Sequence, residues 1–134
     1  MEVGVGLFIK PPLGLNFSVK MLYRKVYDMT STDFHPRKEN LMKEKKIEQN
    51  LTLMVKRRGG ICPKFVSPGY DGMPDRIVLM QNGRMAFVEV KAPGKSPRPL
   101  QRQRHKLLRA LGFKVYVLDD EKQIGGILDE IQAS

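Results

Sequence analysis

The stretch from Arg76 to Lys91 confines this chain more tightly than any other part of it. Asn82-Gly83 stands between two apolar runs, Arg76–Met80 and Met85–Lys91. Asn-Gly is the strongest short-range hairpin signal, because both residues accept positive φ, so a two-residue loop joining two strands is expected. The returning run, Met-Ala-Phe-Val-Glu-Val-Lys, is apolar on both faces before Glu89, which reads as a strand buried in the middle of a sheet. Side chains two apart share a face, so Glu89 and Lys91 project together from the end of that strand. Burying either alone costs several kcal/mol, roughly, so they need each other, a metal ion, substrate or water.

The flanking elements follow from period and punctuation. Glu44, Ile47, Glu48, Leu51, Met54 and Val55 recur at helical spacing, and Gly59-Gly60 ends that helix. Ile61–Val66 reads as a short strand, and 67–72 as a loop. After the Pro-rich break from Pro93 to Pro99, Leu100, Leu107, Leu108 and Leu111 mark a basic amphipathic helix ending at Gly112. Phe113–Leu118 is a strand, and a Gly-interrupted helix over about Gln123–Ile131 closes the chain. The order is α-β-β-β-α-β-α, an α/β layered core with a four-stranded sheet. Residues 1–41, with Gly and Pro scattered from Gly4 to Gly14, read as an appendage to a domain over 42–134. Lys38-Glu39 can be encoded as a purine-rich ribosome-binding sequence upstream of Met42, so Met42 is the expected natural start of a bacterial or phage gene.

Composition narrows the partners. A chain of 134 residues has room for a single core, and a net charge of +10 attracts a polyanion, most commonly nucleic acid. The apolar runs are too short to span a bilayer, the N-terminus lacks the basic region of a secretory signal, and a bacterial or phage-infected cytoplasm is expected. One cysteine, Cys62, and two histidines, His35 and His105, make neither a disulfide nor a structural zinc site.

Asp75 supplies a second acid. With Asn82-Gly83 as a two-residue loop it falls opposite Val90, diagonal to Glu89 and Lys91, and strict pleating then puts it on the wrong face. A bulge or bend near Gly72-Met73-Pro74 is needed to swing it over. Two carboxylates close together repel unless a cation lies between them, and oxygen ligands with open positions suit Mg²⁺ or Mn²⁺, with the Val90 carbonyl able to add a third ligand. Such an ion polarises a phosphate, while Lys91 positions or deprotonates a nucleophile.

Gly72-Met73-Pro74-Asp75-Arg76, Phe87-Val88-Glu89-Val90-Lys91 and Gln101 resemble the motifs of the VRR-NUC (virus-type replication-repair nuclease) family, a branch of the PD-(D/E)xK restriction-endonuclease-like superfamily. The resemblance covers roughly 42–118 and includes Glu48 and Lys64-Phe65-Val66-Ser67-Pro68. It implies an α-β-β-β-α-β core with a mixed four-stranded sheet, a metal site at Asp75, Glu89 and the Val90 carbonyl, catalytic Lys91, and supporting Glu48 and Gln101. Small members of the family are associated with homodimers that cleave four-way DNA junctions, so a structure-selective DNA endonuclease is the expectation; flap, single-strand or duplex cutting and non-catalytic nucleic-acid binding are the alternatives.

Plainer readings stand beside these. Glu48 can pair with Lys45 or Lys56 on a solvated helix face. Gln101 can be a helix-start residue without a task, yet it lies on the helix flank shared with His105 and Leu108, close to the core side. His105 reads as a surface or DNA-facing side chain rather than a metal ligand. Gly94-Lys95-Ser96 is not a phosphate-binding loop, because that motif needs glycine where Glu89 stands. Lys64, Lys95, Arg98, Arg102, Arg104 and Lys106 are assigned to DNA phosphates, and Arg57-Arg58 to the dipole at the end of the first helix.

Overall fold

The first helix, α1, spans Pro36–Arg57 and buries Ile47, Leu51 and Val55, one residue from each successive turn, so a single stripe faces inward. Pro36 opens it, where a missing N–H costs nothing. Gly59, at φ +84°, lets the chain reverse, and the Gly60 N–H closes the end on the Val55 carbonyl at 3.0 Å. The computed structural model describes Gly14, residues 16–19 and residues 36–134, so most of the expected appendage lies outside the described residues. The boundary expected at 41/42 falls inside α1.

Residues 40–134 form one compact unit. Its sheet has the order β1-β2-β3, with β1 (Arg76–Leu79) antiparallel to β2 (Met85–Val90) and β2 parallel to β3 (Val115–Leu118). The remaining helices are α2 (Pro99–Ala110) and α3 (Ile124–Ala133). α1 and α3 cover one face: Ile47, Leu51, Val55, Ile124, Leu128 and Ile131 pack with Val78, Ala86, Val88 and Val90. Leu108 of α2 packs on the other, with Phe87 and Val115. β2, central and covered on both sides, is apolar on both faces for that reason.

Two expectations are corrected by backbone chemistry. The segment 61–66 lies along the outer edge of β1 but is not a fourth strand. Ile61 exchanges both bonds with Leu79, the Ile77 N–H reaches the Pro63 carbonyl at 3.2 Å and the Phe65 N–H reaches the Asp75 carbonyl at 2.7 Å. The reciprocal bond at Pro63 cannot form, because proline has no N–H, and the ladder breaks into isolated bridges.

The hairpin loop holds three residues, Gln81, Asn82 and Gly83, instead of two. Leu79 faces Met85 and the Met80 N–H donates to the Arg84 carbonyl at 2.8 Å, while Asn82 (φ 64°) and Gly83 (φ 70°) take the left-handed positions. One extra residue shifts the register by one, and a slip of one moves every side chain to the other face.

Candidate active site

The shifted register builds the site. Arg76 pairs with Val88, and continuing that register by one residue sets Asp75 directly across from Glu89, on the same face of the sheet. The expected bulge near Gly72-Pro74 is not needed to swing Asp75 over; the longer hairpin loop does so. The Asp75 Oδ2 accepts from the Val90 N–H at 3.1 Å. Along a strand the N–H and C=O of one residue point to the same side, so the Val90 carbonyl is also aimed toward Asp75. One residue further along, the position facing Val90 is Pro74, which has no N–H to engage that carbonyl.

Glu89 is 0% exposed. One oxygen, Oε1, lies 3.4 Å from Nε2 of His105, and the other, Oε2, is 3.8 Å from the Lys91 Nζ and has no hydrogen-bond partner. Burial first, then the neighbouring Asp75 carboxylate, pushes the Glu89 carboxyl up to about 9; the Lys91 ammonium opposes this less strongly. Burial and the neighbouring Asp75 carboxylate thus favour the protonated form of Glu89 near neutral pH. No cluster of three or more His, Cys, Asp and Glu side chains able to hold a metal is present among the described residues, so an ion here would rely on two carboxylates, the main chain and open positions.

His105 is corrected from a surface residue to a buried one. It is 2% exposed and faces inward with Gln101 and Leu108, the spacing of one helix flank. Burial, then the charge of Arg109, lowers its pKa, so it stands neutral against Glu89. By contrast Leu100, Leu107 and Leu111, expected on the buried stripe of α2, are exposed.

On α1, Glu48 meets Arg76 at 2.8 Å and Lys64 at 3.9 Å, and Arg76 also donates to the Cys62 carbonyl at 2.8 Å. One turn earlier, Glu44 approaches the site: burial, then the charge of Asp75, raises its pKa, while Lys91 and a hydrogen bond with the Ala92 backbone lower it. Glu44 was passed over because periodicity alone does not tell which of two acids on one helix flank reaches the end of β2. Gln101 is buried and its Oε1 accepts from the Arg98 N–H at 2.8 Å, closing the start of α2.

The basic residues divide. Lys95, Arg98, Arg102 and Lys106 are exposed, and Arg102 reaches back to the Pro97 carbonyl at 2.6 Å. Lys64 is exposed beside Glu48. Arg104 instead anchors the loop before Asp75: its Nε donates to the Asp71 carbonyl at 2.9 Å, and its guanidinium lies 4.0 Å from the centre of the Tyr70 ring. Arg58 bonds Asp129 at 2.7 Å and Gln132 at 2.8 Å, tying α1 to α3, so it does more than complement the α1 dipole. A cleft of about 710 Å³ opens beyond β2, lined by Lys43, Lys46, Pro93, Gly94, Asp119 and Lys122 among others.

Gly72 fixes the approach of this loop. At φ +88°, an added Cβ would stand 2.9 Å from Leu100 Cγ and 3.1 Å from Arg104 Cγ. Gly72→Ala should therefore destabilise by about 1–3 kcal/mol, read as a melting temperature lower by about 3–10 °C in calorimetry. An unchanged melting temperature would show that the loop does not pack on α2 in this way.

No helix among the described residues is long and apolar enough to cross a membrane. A family model described as the VRR-NUC domain matches residues 25–120. A protein of Acyrthosiphon pisum secondary endosymbiont phage 1, named "Putative nuclease p44", is 51% identical over 81 residues, spanning 60% of this chain and 87% of that one. A solved structure titled VRR_NUC domain is 28% identical and superposes with a TM-score of 0.62, covering 65% of this chain and 95% of its own. With three-stranded mixed sheet, flanking helices and family model in agreement, the chain belongs to the VRR-NUC family and is a nuclease.

Proposed function

We propose that this nuclease is a Mg²⁺- or Mn²⁺-dependent DNA endonuclease, selective for branched DNA and acting as a homodimer, with Asp75, Glu89 and the Val90 carbonyl as metal ligands and Lys91 as a catalytic residue. The observation that carries the reading is Glu89 Oε2, a buried carboxylate oxygen without a hydrogen-bond partner, on the face it shares with Asp75. A buried acid left in that condition is costly unless function requires it. When bound, a divalent cation supplies Lewis-acid polarisation of the phosphodiester and offsets its charge.

The chain's own residues provide the rest. Lys91, largely buried with its Nζ 3.8 Å from Glu89 Oε2, orients the attacking water and offsets charge developing on the phosphate. His105 holds Glu89 Oε1 from behind. Glu44 stands on the Asp75 and Lys91 side, placed to accept a proton from the water. Lys95, Arg98, Arg102 and Lys106 give salt-sensitive attraction to the DNA backbone. Paired incisions across a two-fold junction need two active sites, which a symmetric dimer supplies.

The test is cleavage of labelled four-way junction, flap, single-stranded and linear duplex DNA with Mg²⁺ or Mn²⁺, comparing the intact protein with Lys91→Ala and Asp75→Asn. Metal-dependent cutting of the junction, lost in both variants, is the expected result, with light scattering giving twice the chain mass. Binding without cutting by the intact protein, with either metal, would overturn the catalytic reading in favour of a nucleic-acid-binding module.

A further inference from the structure

Tyr70 is 43% exposed at the surface of the loop that leads into Asp75, yet its ring is not loose. The Arg104 guanidinium lies 4.0 Å from the ring centre, and the same side chain donates to the Asp71 carbonyl at 2.9 Å. The backbone is turned back under it, the Tyr70 N–H donating to the Ser67 carbonyl at 3.1 Å with Gly69 at φ +77°. Two residues on, Gly72 packs against Leu100 and Arg104 of α2. The next residue of that helix, His105, touches Glu89. Ring and carboxylate are thus joined to one helix, and Tyr70 precedes Asp75 by five positions.

An aromatic ring braced on one side and open on the other suits the flat face of a nucleobase. Stacking tolerates any base, loses little side-chain freedom when the ring is already held, and requires a base outside a duplex stack. A cation against the far face makes a continuous base–aromatic–guanidinium stack. Exposed Arg98 and Arg102, at the start of the same helix, are available for the flanking phosphates.

We propose that Tyr70 is a stacking platform for an unpaired nucleobase of the DNA strand being cut, so that the enzyme selects DNA in which a base near the scissile phosphate is unstacked. This rests on the nuclease reading and deepens it: flaps and single strands present such a base, a four-way junction does so where a pair opens at its branch point, and uninterrupted duplex does not. Arg104 acts as a positioning residue, holding ring and loop.

The experiment measures binding without divalent metal, in chelator, of oligonucleotides carrying 2-aminopurine either in a single-stranded flap or inside a duplex. The intact protein and Tyr70→Phe should quench the flap fluorescence, whereas Tyr70→Ala and Tyr70→Leu should not. The latter two should bind the flap about 5- to 100-fold more weakly and the duplex unchanged. Flap binding within twofold of the intact protein in Tyr70→Ala would overturn the proposal. So would Tyr70→Leu matching Tyr70→Phe, which would reduce the contact to apolar area, or an equal loss on flap and duplex with a lowered melting temperature, which would make Tyr70 structural. Metal-dependent cleavage is scored separately on the same variants, so a failed platform leaves the nuclease reading standing.

Discussion

Glu89→Gln should abolish cleavage and stabilise the metal-free protein at the same time. Gln keeps the shape and the oxygen facing His105 but cannot carry the charge that a cation needs, so at least about 10³-fold in rate is lost, the equivalent of roughly 4 kcal/mol of transition-state stabilisation. Folding, meanwhile, no longer has to protonate a carboxyl whose burial, with Asp75 beside it, pushes it up to about 9 from an unperturbed 4.5. At pH 7 that relief is of order 1–3 kcal/mol, a rise in melting temperature of about 3–10 °C in chelator. Gel-based cleavage and calorimetry on the same preparation read both effects. A variant that is inactive and also less stable would show that Glu89 makes contacts in the metal-free protein that hold it in place, contrary to its unpartnered Oε2.

That conflict between stability and function explains why the site was so legible from residues alone. An acid and a base two apart at the end of a run otherwise built of Met, Ala, Phe and Val has no packing reason to exist, and the strand that carries them is central and buried as its composition requires. Asp75 was legible as a partner, but its face was not. The hairpin loop was counted as Asn82-Gly83, the two residues that take positive φ, whereas Gln81 also belongs to it. Local turn chemistry names the residues that permit a reversal; the number of residues in the loop is settled by which register puts Val78 beside Ala86 against α1 and α3 and Ile77 beside Phe87 on the other face.

The other misreadings share a cause. Ile61–Val66 has β-prone residues, yet Pro63 withholds one donor from the ladder with β1, so pairing is present without a strand. On α2 the spacing of Gln101, His105 and Leu108 marks the flank nearest the core, and those are the residues that turn inward, while Leu100, Leu107 and Leu111 are exposed. A helix that covers such a site presents polar groups to it, so counting leucines alone misjudges which of them are buried. The choice between Glu44 and Glu48 fails similarly: one turn of helix separates an acid held by Arg76 and Lys64 from one that faces Asp75 and Lys91, and only the packing of α1 on the sheet decides.

The stability of the metal-free protein should fall as pH rises from about 6.5 to 9, and added Mn²⁺ should offset the fall. The Glu89 carboxyl titrates near 4.5 when unfolded and near 9 when folded, so between those values the folded state holds the extra proton. Stability from that proton is complete below about 4.5 and is lost as pH climbs through 9, at up to about 1.36 kcal/mol per pH unit. Glu44, also raised, acts in the same direction from the acid side. His105, lowered by burial, has the opposite sign: its contribution is lost as pH falls through the ordinary histidine range, so it is confined to lower pH. Tyr116, pushed up to about 12, titrates above the window. Cys62, its thiol pushed up by burial, adds a loss of the same sign only as pH nears 9. The interval from 6.5 to 8 is therefore governed by Glu89, and a drop in melting temperature of about 5–10 °C across the whole range to pH 9 is expected in chelator. Because a cation would compete with the proton on Glu89, the stabilisation by Mn²⁺ should grow with pH. Glu89→Gln should flatten both dependences. A wild-type melting temperature that is level from pH 6.5 to 9 in chelator would mean that Glu89 is already ionised at neutral pH, and the proton-for-metal exchange at Asp75 and Glu89 would have to be abandoned.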